Sequence, residues 1–75
     1  MNYVWVVYLN GEIDMAYKTK EKAYEVIKEY IINAKYLPEL YKTSYLKNLK
    51  DTYEKDTHIF SDSGDEWAEE VEIAD

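Results

Sequence analysis

The sequence predicts a small α+β domain in which an antiparallel sheet of three or four strands packs on two helices. Three observations support this prediction. The chain opens with a β-branched and aromatic run that meets an Asn-Gly dipeptide, its middle carries two apolar repeats with helical spacing, and its end holds two strand-like segments around a turn. We therefore expect an N-terminal β-hairpin, two helices and a C-terminal strand pair, within one domain of residues 1–75.

The first element is predicted to be a β-hairpin. Residues 3–9, YVWVVYL, are β-branched or aromatic throughout, which favours a strand with both faces covered. Asn10-Gly11 follows, and both residues tolerate the positive φ of a type I′ turn. The returning strand, EIDMAY, alternates in polarity, which would place Ile13, Met15 and Tyr17 on one face.

A first helix is predicted from Lys20 to about Ala34. Thr19 can cap its N-terminus, and Glu21 lies in the first turn, where a carboxylate interacts favourably with the helix dipole. The apolar positions that recur at helical spacing are Ala23, Val26, Ile27, Tyr30, Ile31 and Ala34.

A second helix is predicted from about Glu39 to Tyr53, because Pro38 interrupts the first pattern and a new one follows it. Three of the five residues in its stripe are tyrosines, so the stripe could form a core face or a more hydrated contact face. The positions that repeat at four-residue intervals are Leu37, Tyr41, Tyr45, Leu49 and Tyr53.

The C-terminal part is predicted to be a strand over 56–61, a turn at 62–65 and a second strand over 66–74. A helix competes for the last segment, because Ser63 and Glu66 have the spacing of a capping box. We favour the strand, since a second hairpin would extend the sheet that the first one begins. In that strand Trp67, Val71 and Ile73 are expected to be buried, while Glu70 and Glu72 face outward.

Charge is strongly segregated along the chain, whose net charge is −7. Residues 1–55 hold nine lysines and eight carboxylates, whereas residues 56–75 hold eight carboxylates and no lysine. This acidity argues against direct binding of nucleic acid, which needs cationic side chains, and favours a basic protein surface as the partner. The opening segment has neither a signal peptide nor a membrane span, so we expect a cytoplasmic protein without a membrane partner.

No catalytic, cofactor or metal site is predicted, and we expect the protein not to be an enzyme. His58 is the only histidine, and the chain has no cysteine with which it could share a transition metal. The run DSGDE lacks the spacing of an EF-hand loop, and turn formation accounts for it.

We predict a non-enzymatic interaction module whose acidic C-terminal part binds a basic partner, such as a host nucleic-acid-binding protein. Carboxylates on a rigid scaffold can imitate a row of phosphates. The competing interpretation is a solubilising surface that keeps sheet edges apart. Another alternative is a structural protein that forms homo-oligomers through Tyr41, Tyr45 and Tyr53 of the second helix. The predicted partner-binding residues are Asp62, Asp65, Glu66, Trp67, Glu69, Glu70 and Glu72.

The run VWVVYLNGEIDMAYKTKEKAYEVIKEYI, with DEWAEEVEIAD at the end, resembles short acidic phage and prophage proteins. By type, the chain is similar to small phage inhibitors of host defence, including anti-CRISPR proteins and DNA mimics. The resemblance implies an inhibitor that acts in the cytoplasm of a host cell. It brings no site residues with it.

Overall fold

A computed structural model of the protein describes residues 2–55 and 58–74. It confirms the predicted α+β fold, with two helices and a four-stranded antiparallel sheet in the order β2-β1-β4-β3. The elements are β1 Asn2–Leu9, β2 Glu12–Tyr17, α1 Lys20–Asn33, α2 Glu39–Lys55, β3 His58–Phe60 and β4 Trp67–Ile73.

The two central strands come from opposite ends of the chain. β1 pairs with β4 along its length, from Asn2 opposite Ile73 to Tyr8 opposite Trp67. β2 and β3 then flank this pair on its outer sides. The predicted strand over 56–61 is observed as β3 at residues 58–60, and residues 56 and 57 lie outside the described part of the chain.

Both helices pack on the same face of the sheet and close one apolar core. The sheet contributes Trp5, Val7, Ile59 and Ala68, and the register of the strands places all four on that face. Each fully buried aliphatic side chain stabilises the fold by about 1.5–3 kcal/mol relative to exposure. The helices contribute Ala23, Ile27, Ile31 and Leu49.

The predicted burial of one face of β4 is wrong. Directly opposed residues share a face of the sheet, so the pairing of Ala68 with Val7 places Ala68 beneath the helices. Trp67, Val71 and Ile73 therefore lie on the other face, where Val71 is 40% and Ile73 44% exposed. Alternation divides a strand into two faces but does not say which face the core takes. Here the core takes the face of β4 that carries the small residue Ala68. The aromatic side chain that contacts the helices from the sheet comes from Trp5 of β1.

The first hairpin has the predicted turn but a different register. Asn10 and Gly11 have φ values of 54° and 79°, as a type I′ turn requires. The register shifts between Val7 and Tyr8, so that Val7 faces Met15 while Tyr8 faces Ile13. Ile13 and Met15 consequently lie on opposite faces, contrary to the prediction, because a bulge changes the parity of the strand beyond it.

The helices follow the predicted pattern. The Thr19 hydroxyl accepts a hydrogen bond from the backbone N–H of Lys22 at 3.1 Å and caps α1. In α2, the tyrosine stripe is divided between the core and the surface. Tyr45 and Tyr53 pack against the core, whereas Tyr41 is 53% exposed.

Two side chains of α2 hold the outer edge of β3. The Thr52 hydroxyl accepts from the backbone N–H of Phe60 at 3.1 Å, and the Asn48 amide donates to the Phe60 carbonyl at 3.0 Å. The backbone groups of Phe60 bond to α2 and therefore not to β4. Phe60 and Trp67 thus form a non-hydrogen-bonded pair, the kind in which opposed side chains lie closest together. The helix thus covers this edge and sets the spacing of two aromatic residues.

We expect Thr52→Val to lower the free energy of unfolding by about 1–3 kcal/mol, because the N–H of Phe60 loses its acceptor. Urea denaturation followed by circular dichroism measures the change. Thr43→Val is the matched control on the same helix, since Thr43 is exposed and bonds only its own helix at the Glu39 carbonyl. An equal loss in both variants would contradict the role given to Thr52.

Candidate functional site

The sheet face opposite the helices, called here the open sheet face, is mostly apolar. Its side chains are exposed or half-buried, and Ile13 at 68% and Phe60 at 41% exposure are the clearest examples outside β4. Exposed apolar surface of this kind marks interaction sites in soluble proteins. The open sheet face is formed by Asn2, Val4, Val6, Tyr8, Ile13, Ala16, His58, Phe60, Trp67, Glu69, Val71 and Ile73.

An aromatic stack lies on this face across the β1–β4 pair. The rings of Tyr8 and Trp67 are 4.3 Å apart and inclined by 12°. The Tyr8 hydroxyl donates to Glu69 Oε1 at 3.3 Å. Burial raises the pKa of the Tyr8 phenol, and the adjacent Glu69 carboxylate raises it further. Tyr8 therefore acts as a neutral donor that orients Glu69 beside Trp67.

The predicted acidic residues do not share one surface. Glu69 lies on the open sheet face, whereas Glu70 and Glu72 are exposed on the opposite side of β4, across from Trp5 and Tyr3 of β1. Asp62 and Asp65 are exposed in the turn that joins β3 to β4.

Glu66 is not part of an exposed acidic surface, which corrects its predicted place there. Only 2% of the residue is exposed. Its Oε1 accepts from the hydroxyl of Ser63 at 2.8 Å and from that of Ser61 at 3.4 Å. The spacing of Ser63 and Glu66, which resembled a capping box, thus reflects a side-chain contact within a turn.

The two turns at this end of the sheet are joined. The backbone N–H of Gly11 donates to the carbonyl of Asp65 at 2.9 Å. Positive φ values at Asp62 (73°) and Gly64 (85°) turn the chain back between β3 and β4. The acidic turn is therefore anchored to the first hairpin as well as to its own strands.

A depression of about 570 Å³ lies where β3, β4 and this turn meet. Aromatic side chains and carboxyl groups both line it, a combination suited to a cationic group with an apolar stem. Of the predicted partner-binding residues, the depression is lined by Asp62, Glu66, Trp67 and Glu69. The prediction missed Phe60, which the pairing of β3 with β4 places opposite Trp67. The lining residues are His58, Phe60, Asp62, Gly64, Glu66, Trp67 and Glu69.

The described residues show neither a metal centre nor a membrane span. Within 2–55 and 58–74, no three or more His, Cys, Asp or Glu side chains are grouped so that they could hold a metal ion. Over the same residues, neither helix has the length and apolar character needed to cross a bilayer.

Comparisons of the chain with protein-family models, curated proteins and solved structures gave no significant match. Function is therefore inferred from the open sheet face and the depression at its end.

Three tyrosines have raised pKa values, from two main physical causes. At Tyr8 and Tyr17 burial is the main cause, with Glu69 and Asp14 as the respective carboxylate neighbours. At Tyr36 the main cause is the hydrogen bond with the Tyr30 hydroxyl, whose oxygen lies 3.2 Å away.

We expect the free energy of unfolding to fall as the pH rises above 10, the ordinary tyrosine pKa. Above pH 10 the unfolded chain loses phenol protons that the folded protein retains. The stabilisation that these tyrosines give is therefore complete below pH 10, and it is lost as the pH rises through their raised pKa values. Urea denaturation from about pH 8 to about pH 11, with the ultraviolet absorbance of the phenolate, measures the effect. Tyr8→Phe should lose less stability over this range; an equal loss would show that Tyr8 does not contribute.

Proposed function

We propose that this protein is a non-enzymatic interaction module that binds a basic protein surface through its open sheet face. One observation carries the proposal: the helices cover one side of the sheet and leave the other side apolar, with carboxylates beside it. Apolar residues such as Val71 and Phe60 would form the dry centre of an interface, and Asp62 and Glu69 would lie at its charged margin.

The charge of the chain supports a basic partner. The net charge is −7, and residues 56–75 contribute −8 of charge against +1 from the rest. Because Glu70 and Glu72 point away from the open sheet face, they would act at a distance by steering a cationic partner rather than by touching it.

An inhibitor of a host nucleic-acid-binding protein is the form of this function that the phage resemblance suggests. Such proteins carry basic surfaces that contact phosphates, which an acidic module can occupy. In this form the module would compete with the nucleic acid and would not bind it.

We expect Val71→Lys to weaken binding of the partner by about tenfold or more, because it places a cation against a basic surface. The partner would be captured from a bacterial lysate at low salt, identified and purified, and its affinity measured by calorimetry. Leu40→Lys is the matched control, because it adds the same charge on α2, where Leu40 is 79% exposed. That variant should stay within about twofold of the parent protein.

Salt provides a second readout in the same assay. Affinity should fall steeply as salt increases, because exposed charges are screened beyond a Debye length of about 10 Å at 0.1 M. An affinity that does not change with salt concentration would refute the proposal. So would an equal loss of affinity in Leu40→Lys and Val71→Lys.

Self-association through α2 is a second candidate, favoured by the exposed apolar residues near its N-terminus. Tyr36, Leu40 and Tyr41 are 61%, 79% and 53% exposed. Of the predicted interface, Tyr53 is instead stacked on Tyr24 within the chain at 4.4 Å.

Light scattering after size exclusion separates the two candidates. We expect a monomer of 9.0 kDa at micromolar concentration, because in the proposed function the open sheet face binds another protein and not a second copy. A dimer that Leu40→Lys dissociates and Val71→Lys leaves intact would instead establish self-association through α2.

A further inference from the structure

We propose that the depression at the end of the open sheet face is a subsite for one arginine side chain of the partner protein. This arginine subsite is formed by Phe60 and Trp67 as aromatic walls and by Asp62 and Glu69 as anionic groups. The inference rests on the proposed function, because it names the residue type that the basic partner inserts.

The aromatic walls are held in place before any ligand arrives. Phe60 and Trp67 are opposed on neighbouring strands. Bonds from Asn48 and Thr52 hold the backbone of Phe60, while the ring of Tyr8 stacks on Trp67. A cation over an aromatic face is attracted by the quadrupole of the ring, and tryptophan is the best of the rings. Little side-chain entropy is lost when a ligand meets rings that are already packed.

Glu69 lies where the head group of such a cation would end. It is two residues along β4 from Trp67 and on the same face, so their α-carbons are separated by about 6.8 Å at the ordinary strand rise. Tyr8 uses one acceptor position of the Glu69 carboxylate, and an ionised carboxylate offers about four. The remaining positions can accept the planar fork of a guanidinium that lies on the indole of Trp67.

Among the described residues, none of those that line the depression is a lysine. Lys42 forms an ion pair with Glu39 at the start of α2 and not with a carboxylate of the depression. A cation from another protein would therefore not compete with a lysine at the lining of the depression. Charge complementarity therefore favours a cationic occupant.

The arginine must come from another protein. The nine basic residues of this chain are all lysine, so a second copy cannot fill an arginine subsite. Lysine is the weaker candidate, because its ammonium is a point charge without the planar fork and is more strongly hydrated.

The test uses the peptide acetyl-Gly-Arg-Gly-amide and two matched peptides in which citrulline or lysine replaces arginine. Binding to the whole protein is followed by the NMR signals of the Trp67 and Trp5 indoles. We expect saturable shifts at Trp67 and not at the core residue Trp5, with the arginine peptide binding about tenfold more tightly than the citrulline peptide.

Glu69→Gln and Glu54→Gln are the paired variants. Both remove one negative charge, but Glu69 lies on the open sheet face, whereas Glu54 is exposed on α2 and has no part in the proposed interface. Glutamine at position 69 still offers an oxygen to the Tyr8 hydroxyl. We expect Glu69→Gln to weaken arginine binding about tenfold and Glu54→Gln to stay within about twofold. Phe60→Leu, which keeps an apolar side chain but removes the ring, provides a second test that also weakens binding.

Equal binding of the arginine and citrulline peptides, or equal effects of the two glutamine variants, would overturn the subsite. Lysine binding as tight as arginine would overturn its selectivity. If the peptides fail to bind while Val71→Lys still impairs the partner, the subsite is refuted and the proposed function stands. If the arginine peptide binds at Trp67 while Val71→Lys leaves partner binding intact, the proposed function is refuted instead.

Discussion

The pairing of β1 with β4 is the interaction on which the rest of this structure depends. It joins residues near the two ends of the chain in one register, from Asn2 and Ile73 to Tyr8 and Trp67. An isolated two-stranded hairpin is marginal in water, whereas four strands with a covered face are stable. The pairing turns two such hairpins into one sheet and brings Val7 and Ala68 together beneath the helices. Without it there would be neither a common core nor a common open face.

The same register builds the candidate site. Tyr8 and Glu69 are 61 positions apart in sequence, yet one hydrogen bond joins them. Bonds from α2 set Phe60, the Tyr8 ring supports Trp67, and the bond from Gly11 to Asp65 ties the acidic turn to the first hairpin. Each part of the depression is therefore supported by a different element. A site held in this way loses less entropy on binding than one carried by a free loop.

The two helices of this short chain cover one face of the four-stranded sheet and leave the other face uncovered. Most small proteins make such a face polar, as is usual for antiparallel sheets that face water. Here Val71 and Ile73 are apolar and substantially exposed on it. The exposed carboxylates at this end of the chain lie instead mainly in the turn and on the reverse side of β4, where Glu70 and Glu72 project. In the proposed function, apolar contact and long-range attraction would therefore come from different surfaces.

The sequence by itself determined the features that depend on near neighbours. The Asn10-Gly11 turn, the Thr19 cap and the core stripe of α1 all follow from local backbone preference and helical spacing. Only the tertiary structure decided which face of β4 is buried, because alternation leaves two equivalent faces until β1 and the helices select one. Tertiary contacts likewise decided two further features: the bulge that changes the face on which Ile13 lies, and the hydrogen bonds from serine hydroxyls to the buried Glu66. No periodic pattern in the sequence predicts either feature. For the same reason Trp67 could be chosen as a candidate from the sequence, while its position on an open sheet face could not be predicted.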